Sequence, residues 1–228
     1  MKYISKAKKE PTYWQEYCAK VQASGMSAKE GYEASDVPKA RLLEDLVKEQ
    51  GAICCYCMRR IQKNSSAPPH IEHYLPQSLY PALALDYKNL LAVCQGRSAD
   101  GKNISYHCDH ENAKSNQELN CLDPRDQRCE SAIRYRPNGR VDGQNNLDVE
   151  EDIQTLNLNS PVLVNGRRDT LKEIEKIIQK AFKTKTATKA FIQKQIERYS
   201  SRDSDGCFKE YCQAIVYVLK KRYLPKAQ

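Results

Sequence analysis

The chain has 228 residues, 37 Lys and Arg against 29 Asp and Glu, and a formal net charge of +8. That length can bury a real apolar interior without staples, and the modest positive balance favours a polyanionic partner without proving one. The N-terminus has no apolar h-region and no later run reaches membrane-spanning length, so a soluble cytoplasmic protein with no membrane partner is expected. In that reducing setting, ten cysteines point to metal or redox chemistry more than to disulfides.

In chain order, residues 12–23 read as a helix. A second spans 36–50, opening at Ser35 or Asp36 with Pro38 in its first turn, its Leu42, Leu43, Leu46 and Val47 at helical spacing and Gly51 closing it. Residues 52–120 are punctuated by turns: one at 65–69, another bracketed by Pro76 and Pro81, and a polar glycine-bearing stretch at 96–103. Residues 121–166 are rich in Asp, Asn, Pro and Gly, with a small hairpin expected around Pro137-Asn138-Gly139. Apolar residues then recur at three and four, predicting amphipathic helices over 167–198 and 208–223 with a break at 200–206. Cys18, Cys207 and Cys212 fall in apparently helical segments and read as small buried hydrophobes.

All four histidines (His70, His73, His107, His110) and five cysteines (Cys54, Cys55, Cys57, Cys94, Cys108) lie between residues 54 and 110. Cys54-Cys55-Tyr56-Cys57 is a Cys-x-x-Cys turn, which delivers two zinc ligands from one knuckle. Cys94 and Cys108 are the candidates for the other pair, Cys55 is spare, and His107 is an alternative ligand. A thioredoxin-like reading lacks the βαβ pattern it needs. Next, Glu72-His73 places a carboxylate beside an imidazole, a couple able to hold a divalent ion and to activate water for phosphodiester hydrolysis. Oxygen and imidazole ligands leave Mg²⁺, Mn²⁺ and Ni²⁺ all open.

The segment Ile71-Glu72-His73-Tyr74-Leu75-Pro76 resembles the first element of the HNH, or ββα-metal, endonucleases. Asp86-Tyr87-Lys88-Asn89-Leu90-Leu91-Ala92-Val93-Cys94 is similar to their central element, and Cys108-Asp109-His110-Glu111-Asn112-Ala113-Lys114 to their last, with its spacing stretched by about two residues. The resemblance implies His73 as general base and Asn89 as the brace of the loop that carries it. It implies a catalytic metal held by Glu72 with Asp109 or His110, Asn112 competing for that position, at the start of the motif's helix. Lys114 would meet a phosphate or lie on a solvated helix face, and His70 would be a substrate group or a plain loop histidine.

Further on, Leu119-Asn120-Cys121-Leu122-Asp123-Pro124-Arg125, Tyr135-Arg136-Pro137-Asn138-Gly139-Arg140 and Leu156-Asn157-Leu158-Asn159 resemble a bacterial HNH group that includes the nuclease subunits of Septu and retron-associated antiphage defence systems. That likeness covers most of the chain. It implies an ABC or SMC-like ATPase partner (PtuA) and, in retron systems, a reverse transcriptase with its multicopy single-stranded DNA.

The expectation is therefore an α+β chain with a zinc-stapled ββα-metal core at 51–120, an N-terminal helical segment at 1–50, and an irregular segment plus C-terminal helices at 121–228. It would cut DNA or RNA using structural Zn²⁺ and catalytic Mg²⁺ or another divalent ion. The rival reading is a zinc-ribbon module that binds nucleic acid or a partner without cutting.

Overall fold

The first helix, α1 (Thr12–Ala23), buries Trp14, Tyr17 and Val21 along one face, and the indole of Trp14 donates to the Leu85 carbonyl at 3.1 Å. A computed structural model describes this and the rest of residues 1–62, 67–100 and 103–227. The expected turn at 65–69 lies partly outside the described residues, as do positions 101 and 102 of the glycine-bearing stretch. A short helix absent from the sequence reading, α2 (Ala28–Glu33), is closed at its start by a capping box between Ser27 and Glu30. Gly31 lets it approach α1, since a Cβ there would stand 2.6 Å from a Val21 methyl. The third helix, α3 (Lys39–Glu49), begins after Pro38, later than expected. A residue preceding proline is steered away from helical backbone, which keeps Val37 out of the first turn. Gly51, at φ +62°, ends the run.

Among the described residues, three two-stranded antiparallel sheets follow. The strand β1 (His70–His73) pairs with β2 (Leu90–Val93), placing Glu72 opposite Leu91 and His73 opposite Leu90; β3 (Arg97–Asp100) pairs with β4 (Asn103–Tyr106). Gln50 ties this region to α3: its amide nitrogen donates to the carbonyls of Ile53 and Ala92, and its amide oxygen accepts from the Ala92 N–H. After β4, where the family resemblance places a helix, residues 108–116 form successive turns. Cys108 and Ser115, at φ +59° and +47°, are incompatible with a continuous right-handed helix there. The chain is thus mixed α and β, without a helix in the third place of a ββα unit.

The segment 121–166 is less irregular than its composition suggests. It holds α4 (Cys129–Ala132), the hairpin of β5 (Arg134–Tyr135) and β6 (Val141–Asp142), and α5 (Leu147–Thr155), whose start Asn146 caps. Asp152 on α5 is buried and accepts the backbone N–H groups of Asn120, Cys121 and Leu122, satisfying a loop with no ladder of its own. The expected helix over 167–198 is two helices, α6 (Pro161–Lys183) and α7 (Lys189–Ser200). Lys185 at φ +56° breaks them, and the Thr188 hydroxyl caps α7 by accepting from Phe191 N. The last helix, α8 (Cys212–Val218), runs into a π-helical turn at Leu219–Tyr223 and starts four residues later than expected, behind Tyr211 at φ +55°. Cys212 is buried, as expected, but Cys18 is only half-buried, and Cys207 sits in the loop before α8, its sulfur on the Asp205 carbonyl.

One apolar core runs from Met1 to Ala227 through all three of the expected segments. Among the described residues no helix is long and apolar enough to cross a membrane.

Candidate metal centre and adjoining pocket

The Cys-x-x-Cys segment folds as a tight knuckle. Cys54 N donates to Arg59 O, Met58 N returns to Cys54 O, and Met58 takes φ +63°. Two outside bonds fix it: Cys55 N to Ala92 O of β2, and Tyr211 N, just before α8, to Met58 O. Cys94 follows β2, and Cys108 follows β4, where its N–H bonds the Leu156 carbonyl at the end of α5. Four buried sulfurs, those of Cys54, Cys57, Cys94 and Cys108, thereby lie within 4.8 Å of one another.

Four sulfurs ~2.3 Å from a central zinc stand ~3.8 Å apart at the corners of a tetrahedron. Here Cys54 lies 3.9 Å from Cys108, and Cys57 3.8 Å from Cys94. The cluster is of the size and donor chemistry to hold a metal ion such as zinc. Burial pushes the Cys57 and Cys108 thiols well up, whereas hydrogen bonding to Cys108 brings Cys94 down to about 6. His107 is buried beside the cluster, Nδ1 being 3.2 Å from the Cys108 sulfur and 3.8 Å from that of Cys94. The four thiols complete the set without it. Cys55 is buried as the spare, its thiol pushed well up by burial.

Next to the knuckle, Ile71, Glu72, His73, Gln77, Asp109 and Ser115 help line a pocket of about 210 Å³. His73 leaves the end of β1 half-buried, edge-on to the ring of Tyr32 from α2 at 4.5 Å. Its Nε2 is 3.0 Å from the Ala84 carbonyl, which only accepts, so Nε2 carries the proton and Nδ1 keeps its lone pair. Burial lowers the His73 pKa below the ordinary imidazole value, so the ring is neutral at pH 7. The buried Asn89 grips the following loop: Oδ1 accepts from Leu75 N at 2.8 Å and Nδ2 donates to Leu75 O at 2.9 Å.

Glu72 is almost fully buried. Its Oε1 accepts the Tyr56 hydroxyl at 2.7 Å and lies 2.7 Å from Lys114 Nζ. Burial first, and then the adjacent Asp109 carboxylate, push Glu72 well above the usual carboxylate range, against the pull of Lys114. Asp109 in turn lies 3.2 Å from His70 Nε2. Burial lowers the His70 pKa, but the bond and charge of Asp109 outweigh it and leave the group raised. Glu72 and Asp109 are close carboxylates in one pocket whose repulsion the Lys114 ammonium only partly offsets, so they fit a divalent cation by donor chemistry.

Three sequence expectations change. His110 does not reach the pocket: its ring stacks on Tyr106 at 4.2 Å and its Nδ1 accepts from the exposed Asn112's N–H. Gly96 explains the path, because a Cβ there would come within 3.0 Å of His110 Cβ and 2.2 Å of the His107 carbonyl. Of the three competitors, Asp109 alone lines the pocket. Lys114 is neither on a solvated face nor placed to meet a phosphate directly; it is fully buried against Glu72. Tyr56, unmarked by the sequence reading, donates from inside the knuckle to the pocket carboxylate. Its position between Cys54 and Cys57 was the available signal. No protein-family model matches the chain, and no curated protein matches it.

Proposed function

We propose that the chain is a metal-dependent endonuclease of the HNH type that hydrolyses nucleic-acid phosphodiesters. The observation that carries this reading is the gathering in one pocket of His73, whose Nε2 is turned to the Ala84 carbonyl and leaves Nδ1 its lone pair, with the carboxylates of Glu72 and Asp109. His73 Nδ1 takes the proton from the attacking water as general base. Asn89 keeps the loop after His73 in place, and Tyr32 walls the imidazole from α2. Glu72 and Asp109 would hold a Mg²⁺-like ion, which when bound supplies charge neutralisation at the phosphate and the leaving oxygen. The cysteine cluster would hold zinc as a structural ion that takes no part in the bond cleavage itself.

His73→Ala tests the assignment. Cleavage of DNA and RNA by the purified protein, with its partner present, is expected to fall at least a hundredfold, with metal content and melting temperature unchanged. Cleavage surviving in a folded, metal-replete variant would leave the non-catalytic zinc-ribbon reading in its place. From the sequence resemblance alone we infer an ABC or SMC-like ATPase partner and a role in antiphage defence. Co-purification with an ATPase encoded beside this chain is the corresponding test.

A further inference from the structure

Tyr56 sits between two of the four clustered cysteines, and it is nearly inaccessible to solvent. Its backbone is set by the knuckle, whose neighbouring Cys55 N–H is anchored on Ala92 of β2. Its hydroxyl leaves the knuckle and bonds Oε1 of Glu72 on β1, the strand paired to β2. Lys114 Nζ contacts that same oxygen from the opposite end of the constellation, six residues after Cys108. This ammonium is fully buried and paired with Glu72 by charge, with no acceptor, Glu72 included, in aligned hydrogen-bond geometry among the described residues. Both partners therefore converge on one oxygen, and both hang from segments that contribute cysteines to the cluster. Glu72 itself lines the pocket beside the Asp109 carboxylate.

We propose that Tyr56 and Lys114 are positioning residues that fix Glu72 by its Oε1 and present Oε2 to a divalent cation, so that the cysteine knuckle sets the cation affinity of the neighbouring pocket. The inference rests on the nuclease reading of that pocket and deepens it. Groups that orient a metal ligand are commonly worth ten- to a hundredfold in metal affinity, because a freely rotating carboxylate must be ordered when the ion binds. Tyr56→Phe removes one oxygen and keeps the ring in the core. Lys114→Met keeps most of the side-chain volume and removes the charge.

The test is a Mn²⁺ titration of the full-length, zinc-replete protein, followed by electron paramagnetic resonance, with zinc content and melting temperature measured on the same samples. Tyr56→Phe is expected to keep its zinc and weaken Mn²⁺ binding about tenfold. Its cleavage would fall at limiting Mn²⁺ and recover at saturating Mn²⁺. Lys114→Met is expected to weaken Mn²⁺ binding by at least as much. Unchanged Mn²⁺ affinity in Tyr56→Phe, or loss of zinc together with it, overturns the proposal, the second because Tyr56 would then serve the fold alone. Tighter Mn²⁺ binding in Lys114→Met also overturns it, showing that the ammonium competes with the cation. If Glu72→Gln leaves Mn²⁺ binding intact, or the wild-type protein binds none, the nuclease reading of the pocket fails first. If Glu72→Gln abolishes binding and Tyr56→Phe does not change it, only the positioning role is lost.

Discussion

Cys57→Ala removes one of four sulfurs from a cluster that lies within 4.8 Å and has two edges, 3.8 and 3.9 Å, of the length of a zinc tetrahedron's. Structural zinc is worth about 10–16 kcal/mol in small zinc domains, so an even share for one ligand is about 3–4 kcal/mol. The whole folding free energy of a domain is about 5–15 kcal/mol. A loss of that size lowers the melting temperature of a chain this long by roughly 6–16 °C. The damage should not stay local, because the knuckle also anchors Tyr211 through Met58 O and Glu72 through Tyr56. The assay is zinc content by mass spectrometry alongside thermal unfolding followed by circular dichroism, with Cys55→Ala as the control that spares the cluster. A Cys57→Ala protein carrying one zinc per chain with an unshifted melting temperature would refute the assignment.

Two more outcomes are expected. As the proposed base, His73 could act only when neutral, and its pKa lies below the ordinary value because burial disfavours the charged ring. Cleavage should therefore hold steady from neutral pH down past 6.5 and then fall as the ring takes up its proton; in a pH profile of kcat/KM, an acid limb centred at or above pH 7 would contradict this. Asn89→Ala strands the N–H and carbonyl of Leu75, which Asn89 otherwise pairs. The cost should be about 2–4 kcal/mol in urea unfolding, with cleavage reduced as the loop loosens, and a change under about 0.5 kcal/mol would show that water replaces the amide at little cost.

What could be read from the chain beforehand was whatever short-range spacing encodes. Cys54 and Cys57 belong to one turn, and Glu72 and His73 to one strand, so their juxtaposition needs no knowledge of the fold. The helical stripes of α1, α3 and α6 were legible for the same reason. Which of Asp109 and His110 lines the pocket was not, because it depends on a positive φ at Cys108 and on Gly96 admitting the His110 backbone. The burial of Lys114 is not legible from its neighbours, because where helical spacing would put it on a solvated face the chain makes turns that bury the ammonium against Glu72. The helix α2 was missed although Ser27 and Glu30 spell a capping box; its few apolar residues left no periodicity to see. The interruption between α6 and α7 was written in the Thr-rich stretch at 184–188, whose Thr188 starts a new helix, but the apolar spacing on either side masked it.

A two-stranded sheet ordinarily presents open edges, along which another chain can add a strand and seed aggregation. On β2, the Ala92 N–H and carbonyl are claimed by the Gln50 amide, and the same carbonyl also receives Cys55 N–H. One glutamine side chain thus imitates a neighbouring strand for a single residue, and the cysteine knuckle reinforces it. The β1–β2 hairpin can therefore stay only two strands wide and still offer incoming polypeptide no free pairing position at Ala92.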